Sequence, residues 1–281
     1  MRILLTGAGG QLGRALQDLL GGPALIALPH RELDISSGAA VDAALEQHRP
    51  ELVLNAAAYT DVDGAEAQPQ AAYAVNASGA RYLAIASAAR GIPLLHISTD
   101  YVFDGSAARP YHEFDQPNPQ SVYGASKLAG EEEVRRHNPR HYIVRTAWLY
   151  HLVGHNFPKT MLSLADRPEV RVVDDQRGCP TYAPDLAEAL VPLMASGAFG
   201  TYHLAGGGAA SWFEFTVALY RHFAIRTPVI PVSTEEFPRP AVRPRYSVLV
   251  SVQKLGFKLP PWQEGLARFA AELQRRPGGR P

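Results

Sequence analysis

Tyr123 and Lys127 lie four residues apart in the run Ser121-Val122-Tyr123-Gly124-Ala125-Ser126-Lys127. On a helix, positions i and i+4 share one face, one turn apart. A lysine ammonium held there favours the phenolate and lowers the tyrosine pKa from its usual value of about 10. A phenol tuned in this way exchanges a proton with a carbonyl or alcohol oxygen near neutral pH. The pair alone is weak evidence, since two amphipathic side chains on a helix surface are the commoner origin of this spacing, so its chemistry depends on a cofactor for the proton to accompany.

The segment Gly7-Ala8-Gly9-Gly10-Gln11-Leu12-Gly13 offers one. It follows an apolar run and opens a helical pattern, the placement of a dinucleotide-binding turn. Gly7 permits the tight turn, Gly10 lets backbone approach a pyrophosphate, and Gly13 allows close packing of helix on sheet. The N–H groups of Gln11 and Leu12, at the positive end of the helix dipole, complete the anion site. The second strand runs out into Leu28-Pro29-His30-Arg31, with Glu32 and Asp34 beyond. Arg31 suits a 2′-phosphate, which predicts NADPH with NADH tolerated, or is a solvated loop charge. Asp34 either faces the adenine or caps the following helix.

The elements around these residues alternate. Arg2–Thr6, Ala24–Leu28, Leu52–Asn55, Leu94–Ile97 and Tyr142–Arg145 read as strands; Gln11–Leu20, Val41–His48, Ala71–Arg90 and Lys127–His137 read as helices. This predicts an α/β fold, a Rossmann-type doubly wound parallel sheet covered on both faces. Residues 1–150 form the expected dinucleotide-binding domain, with later segments free to return to the sheet. Residues 151–275 are mainly a smaller C-terminal substrate region built from Val170–Val173, Leu186–Met194, Tyr202–Leu204, Trp212–His222 and Trp262–Gln274, and 276–281 are a flexible tail. The chain has 281 residues, 46% of them hydrophobic and 19% charged, with Lys+Arg and Asp+Glu both 27. That balance gives no overall field for nucleic acid or a membrane surface. No apolar run has the length of a membrane span and the N-terminus does not read as a signal peptide, so a cytoplasmic protein is expected. Cys179, the single cysteine, reads as structural.

Further motifs occur in order: Asn55-Ala56-Ala57-Ala58, Val75-Asn76-Ala77, Ser98-Thr99-Asp100-Tyr101-Val102-Phe103-Asp104-Gly105 and Tyr123-Gly124-x-Ser126-Lys127-Leu128-Ala129-Gly130-Glu131. Later come Arg145-Thr146-Ala147-Trp148-Leu149-Tyr150, Asn156-Phe157, Lys159-Thr160-Met161, Asp175-Gln176-x-Gly178-x-Pro180-Thr181 and Arg243-Pro244. With these, the chain resembles the extended short-chain dehydrogenase/reductases, and within them the dTDP-4-dehydrorhamnose reductases, over nearly its whole length.

The resemblance implies NAD(P)H-dependent reduction of the C4 ketone of dTDP-4-dehydro-L-rhamnose, a step towards cell-wall polysaccharide. It implies catalytic roles for Thr99, Tyr123 and Lys127: Thr99, or else Ser98, polarises the carbonyl, Tyr123 delivers the proton, and Lys127 holds the nicotinamide ribose. Asp100, Tyr101 and Trp148 are candidates for the sugar pocket, Trp148 being alternatively a core residue. Asn156, Lys159 and Arg243 suit the diphosphate, because ammonium and guanidinium donors match phosphate oxygens. Ala57, Ala58 and Tyr59 line the expected cofactor channel. Some members of the family bind Mg²⁺ at a dimer interface through glutamates, one of them in the first helix. Here Ala15 stands there, so no metal is expected and a homodimer is only one possibility. Two other readings stay open: a non-catalytic cofactor-binding regulator like the beta subunit of methionine adenosyltransferase, and an epimerase or dehydratase of the same superfamily.

Overall fold

In a computed structural model, which describes residues 1–254 and 256–276, six strands form one parallel sheet. They are β1 (Ile3–Thr6), β2 (Leu25–Leu28), β3 (Leu52–Asn55), β4 (Leu94–Thr99), β5 (His141–Thr146) and a last strand, Gly200–His203. The spatial order is β2-β1-β3-β4-β5 and then Gly200–His203. The order reverses between β1 and β3, and ligands bind in the crevice at the carboxyl ends of strands flanking such a switch point.

Both faces are covered, as the unbroken apolar strands require. Ile3, Leu5, Leu54, Leu95 and Val144 point to one face, against Leu12 and Leu16 of the helix α1 (Gln11–Leu20) and Leu186, Leu190 and Leu193 of the helix Ala183–Ser196. Leu4, Val53, Leu94 and Ile143 point to the other, against Val41, Leu45, Leu83 and Val134. Each such side chain, fully buried, contributes roughly 1.5–3 kcal/mol.

The sheet therefore draws on residues past 150. Tyr202, expected in the substrate region, sits in a strand paired with β5, and the Ala183–Ser196 helix covers the sheet. A cut at residue 150 divides the sequence but not this layer. What lies apart is a core of Tyr150, Leu162, Val172, Phe215, Leu219, Trp262 and Phe269. There Val170–Val173 pairs in parallel with Val229–Val232. The tail expected at 276–281 lies outside the described residues beyond the exposed Arg276.

The expected single helix over 71–90 is interrupted. Pro69–Tyr73 and Ala80–Ala89 are α-helical, and Ala74–Gly79 between them is a π-helix carrying Asn76. The wider turn brings the Asn76 carbonyl against Gly130 of the Val122–His137 helix, so closely that a Cβ at Gly130 would overlap it. Single π turns of this kind recur at functional sites.

Candidate active site

The glycine turn closes on itself. Gly7 has φ +68° and a Cβ there would meet the backbone of Ala56 and Ala57, while Gly10 N–H donates to Gly7 O at 2.9 Å. Gly13, expected to ease packing of helix on sheet, instead packs on the turn itself: a Cβ there would overlap Gly7 O and the Ala8 backbone. Helices beginning after Ser37, Asp61, Ser121, Asn156 and Ser211 each have a side-chain cap; those beginning at Pro69, Ala183 and Trp262 have none, and neither has α1, which begins after Gly10 at the glycine turn. Its first N–H groups thus face the switch-point crevice without a side-chain acceptor, which suits a pyrophosphate.

At the end of β2, Arg31 is 83% exposed and touches only its neighbour Glu32, at 3.2 Å. Asp34 does not cap a helix: its Oδ1 accepts from Ser36 N and Oγ, at 2.9 and 2.7 Å, which holds its carboxyl below the usual range, and Ser37 is the cap. Ala57, Ala58 and Tyr59 follow β3 on the crevice side of the switch point. Ala57 N–H donates to Asn55 Oδ1, and Tyr59 exchanges hydrogen bonds with Asn76 at 2.9 and 3.1 Å. Asn76 also donates to Ser126 Oγ, which bonds Tyr123 O, so the π-helix ties the β3 loop to the turn carrying Tyr123.

The Val122–His137 helix is positioned by its own sequence. Ser121 Oγ accepts from Gly124 N at 3.1 Å, and Glu66 Oε1 accepts from Val122 N at 2.9 Å. Arg135, Arg136 and His137 occupy its last turn, where cations oppose the dipole's negative end. A buried ion pair locks it to the sheet. Arg145 on β5 donates to Glu131 through Nε at 2.9 Å and Nη2 at 2.7 Å, while Ser98 Oγ and Arg135 add bonds of 2.6 Å each. Burial pushes the Glu131 carboxyl up, but the Arg145 fork, Arg135 and the Ser98 hydroxyl together outweigh it and hold the group at about 2. Ser98 is thereby turned away from the crevice, and Thr99 is the hydroxyl left at the strand end.

Around Thr99 the site is tight. Thr99 Oγ1 donates to Asp100 Oδ1 at 3.1 Å and accepts from Tyr101 N–H at 3.2 Å. Burial raises the Asp100 carboxyl to about 6, against the Ser247 hydroxyl that donates to Oδ2 at 2.5 Å. The Tyr101 ring meets the Tyr123 ring edge-on at 5.5 Å, and burial pushes the Tyr101 phenol up.

The expected tuning of Tyr123 is corrected here. Burial raises the phenol to about 12 and the Asp100 charge adds to the rise, with only the Thr99 hydroxyl opposing. Lys127 points beneath the tyrosine, donating to Ile97 O at 2.6 Å. Burial lowers its ammonium to about 8. One turn of helix brings the two side chains to one face but does not aim Nζ at the phenol oxygen. Tyr123 is thus held as the protonated acid across neutral pH.

On the substrate side the expected contacts are bound within the protein. Trp148, at φ +48°, stacks on Trp212 with centroids 3.4 Å apart and planes at 4°, and a Cβ at Gly178 would collide with its indole. Asn156 caps the helix Phe157–Ser163 and donates to Gln11 Oε1 at 2.9 Å and His151 O at 2.6 Å, which links it to the glycine turn. Lys159 curls onto Gly154 O at 2.8 Å. Arg243 donates to Asp63 at 3.0 and 2.9 Å, and Arg239 shares the same carboxylate, holding it far below the usual range. A cavity of about 700 Å³ lies alongside, lined by Phe157, Met161, Val172, Trp212, Arg239 and Arg243. Cys179 is buried against Leu249 and its thiol is pushed up to about 12 by burial, a structural residue.

Asp63, Asn76, Glu131 and Trp212 organise this site without having been read from sequence. Asn76 and Glu131 lay inside the motifs named above, Asn76 as the one amide in an otherwise small and apolar run and Glu131 as the first of three glutamates after Gly130; Asp63 and Trp212 gave no signal. Among the described residues, no three His, Cys, Asp or Glu side chains stand together as metal ligands, and no helix is long and apolar enough to cross a membrane.

A family model described as RmlD substrate binding domain matches residues 1–275. The chain is 48% identical over 258 residues to a dTDP-4-dehydrorhamnose reductase of Streptomyces griseus, covering 88% of this chain and 85% of that protein. It is 43% identical over 253 residues to a dTDP-4-keto-6-deoxy-D-glucose reductase of Streptomyces niveus, covering 88% of each. A crystal structure of dTDP-4-dehydrorhamnose reductase from Bacillus anthracis in complex with NADP matches with a TM-score of 0.93 at 43% identity, covering 96% of this chain and 99% of that one. The chain belongs to the RmlD substrate binding domain family.

Proposed function

We propose that this chain reduces the C4 ketone of dTDP-4-dehydro-L-rhamnose to dTDP-L-rhamnose, using NADPH and tolerating NADH, in the cytoplasm. The observation carrying the reading is the convergence of Thr99 and a protonated Tyr123 at the carboxyl end of β4, beside the uncapped helix at the switch point. High-coverage similarity to named reductases, one of them an NADP complex, supports the substrate and cofactor.

The uncapped α1 terminus fits a pyrophosphate, with Gly7, Gly10, Gln11, Leu12 and Gly13 around it, Arg31 at the 2′-phosphate, and Ala57, Ala58 and Tyr59 along the channel. NADPH supplies hydride when bound. Lys127 offers its remaining N–H donors to ribose hydroxyls. Tyr123 gives its proton to the oxygen that becomes the C4 hydroxyl, and Thr99 turns its one hydroxyl proton from Asp100 Oδ1 to that same oxygen as negative charge builds there. Asp100 holds the Thr99 hydroxyl until the ketone arrives, while Tyr101 and the Trp148–Trp212 stack wall the sugar. The 700 Å³ cavity, drawn mainly from residues 151–275, takes the nucleotide. Asn156 supports the cofactor turn through Gln11, and Lys159 and Arg243 must release present partners to meet phosphate.

Similarity to a dTDP-4-keto-6-deoxy-D-glucose reductase favours one second reading, a C4 ketone on another dTDP-deoxysugar. Assaying NADPH oxidation with both ketosugars, with product analysis, separates the two. Stoichiometric oxidation with the L-rhamnose precursor supports the first; turnover of the D-glucose derivative alone supports the second. Cofactor binding without either turnover points to a regulator, and product without net NADPH loss to an epimerase.

A further inference from the structure

Beneath the site, a chain of buried side chains runs across three strands to Lys127. Thr6 Oγ1 on β1 donates to Asn55 Oδ1 on β3 at 2.6 Å, Asn55 Nδ2 meets His96 Nδ1 on β4 at 2.9 Å, and His96 Nε2 lies 3.5 Å from Lys127 Nζ. Thr6, Asn55, His96 and Lys127 are all buried.

The directions of these bonds can be read from chemistry. The backbone N–H of Ala57 also points at Asn55 Oδ1, at 3.2 Å, and a backbone N–H can only donate. That atom is therefore the amide oxygen, and the NH₂ group faces His96. Two donors cannot meet at 2.9 Å, so His96 Nδ1 carries a lone pair and its single proton is on Nε2, aimed at Lys127. Burial holds His96 neutral, well below its usual pKa, with the Lys127 charge adding to the effect. The Nε2–Nζ separation exceeds a normal hydrogen bond, as expected where an N–H faces an ammonium.

We infer that His96 is a positioning residue: locked by Thr6 and Asn55 with its proton on Nε2, it denies Lys127 a second acceptor within the protein, leaving two ammonium donors for ligand hydroxyls and easing loss of the ammonium proton. His96 transfers no proton itself, because the chain ends at Thr6 inside the sheet. The other groups facing Lys127 do not take this role. Glu131, one turn on, is occupied by Arg145, Arg135 and Ser98. Tyr123, one turn back, and Asp100, beyond the end of β4, give Lys127 no hydrogen bond. For its kinetic consequence the inference rests on the reductase reading; for its structural content it does not.

The test uses Asn55→Asp in the full-length protein. A carboxylate at 55 still accepts from Thr6 and Ala57 but also accepts from His96, which moves the histidine proton to Nδ1 and turns Nε2 into an acceptor for Lys127. Nitrogen-15 histidine spectra of the unsubstituted protein should show His96 neutral with the proton on Nε2, and those of the variant with the proton on Nδ1. Carbon-13 lysine titration should show Lys127 losing its proton near pH 8 in the unsubstituted protein, and about one unit or more higher in the variant. In the double variant Asn55→Asp with His96→Leu, most of that rise should disappear. A His96 proton on Nδ1 in the unsubstituted protein overturns the inference, whether or not any variant folds. An undiminished rise in the double variant overturns it too, because the carboxylate charge then acts directly. If the spectra agree and neither ketosugar turns over, the reductase reading fails and this one stands.

Discussion

The cofactor side and the substrate side of the crevice are built by different means. On the cofactor side, contiguous residues carry the groups, braced by a few remote partners such as Asn156 on Gln11 and Glu66 on Val122. Gly7 to Gly13 close a turn on themselves, and Ser121 to Lys127 present a capped helix with two functional side chains. On the substrate side, the groups are held by partners remote in sequence: Asp63 binds Arg239 and Arg243 from 176 and 180 positions away, and Trp148 lies on Trp212. Local construction shapes the glycine turn, whereas across the crevice Arg239 and Arg243 are held in an internal ion pair with Asp63.

The sharpest way to break this contrast is at Tyr123. Tyr123→Phe should slow the chemical step by about 10²–10⁴-fold and leave NADPH affinity nearly intact, since the turn that binds the cofactor is separate; fluorescence titration beside single-turnover kinetics checks both. Glu131→Gln should be the most damaging to stability, by about 3–5 kcal/mol, because it leaves Arg145 buried without a counter-charge. The sign with pH follows from the same pair. The Glu131 carboxyl is depressed from 4.5 to about 2, so its stabilisation is present above 4.5 and is lost as pH falls towards 2. Denaturant titrations should show the unsubstituted protein weakening across that window and the variant doing so less steeply.

The Asp63 clasp tests the other half. In a double-mutant cycle of Asp63→Ala and Arg243→Ala, chemical denaturation should give a coupling of about 1–2 kcal/mol. Asp63→Ala alone should change KM for the nucleotide sugar more than that for NADPH, and equal changes would erase the proposed division of labour. The smallest effect is expected at Arg31. Arg31→Ala should weaken NADPH by roughly tenfold with little effect on NADH, and equal losses for both would remove Arg31 from the 2′-phosphate.

What sequence made legible follows the same division. Strand and helix periodicity located the sheet, the glycine motif located the turn between β1 and α1, and the Tyr-x-x-x-Lys motif fell on the start of the Val122–His137 helix, because each is a local pattern with a local cause. The π-helix at Ala74–Gly79 escaped because its cause is tertiary, the notch at Gly130. Lys127 was assigned to the correct face but the wrong partner: spacing fixes a face, whereas the Ile97 carbonyl fixes where the ammonium points. Arg243 was singled out for phosphate, but its charge partner lies 180 residues away and no spacing reveals it. Ser98 and Thr99 differ structurally: Glu131 takes the first hydroxyl, while the second bonds Asp100 and Tyr101 at the strand end.

On the proposed mechanism, Tyr123 is the acid of a dTDP-ketosugar reduction. Single-turnover stopped flow with NADPH-loaded protein and dTDP-4-dehydro-L-rhamnose tests it most directly, run in parallel on the unsubstituted protein and Tyr123→Phe. Stoichiometric loss of NADPH absorbance with formation of dTDP-L-rhamnose is expected, at a rate at least about a hundredfold lower in the variant. Equal rates in the two proteins, or bound NADPH that is never consumed, would contradict it.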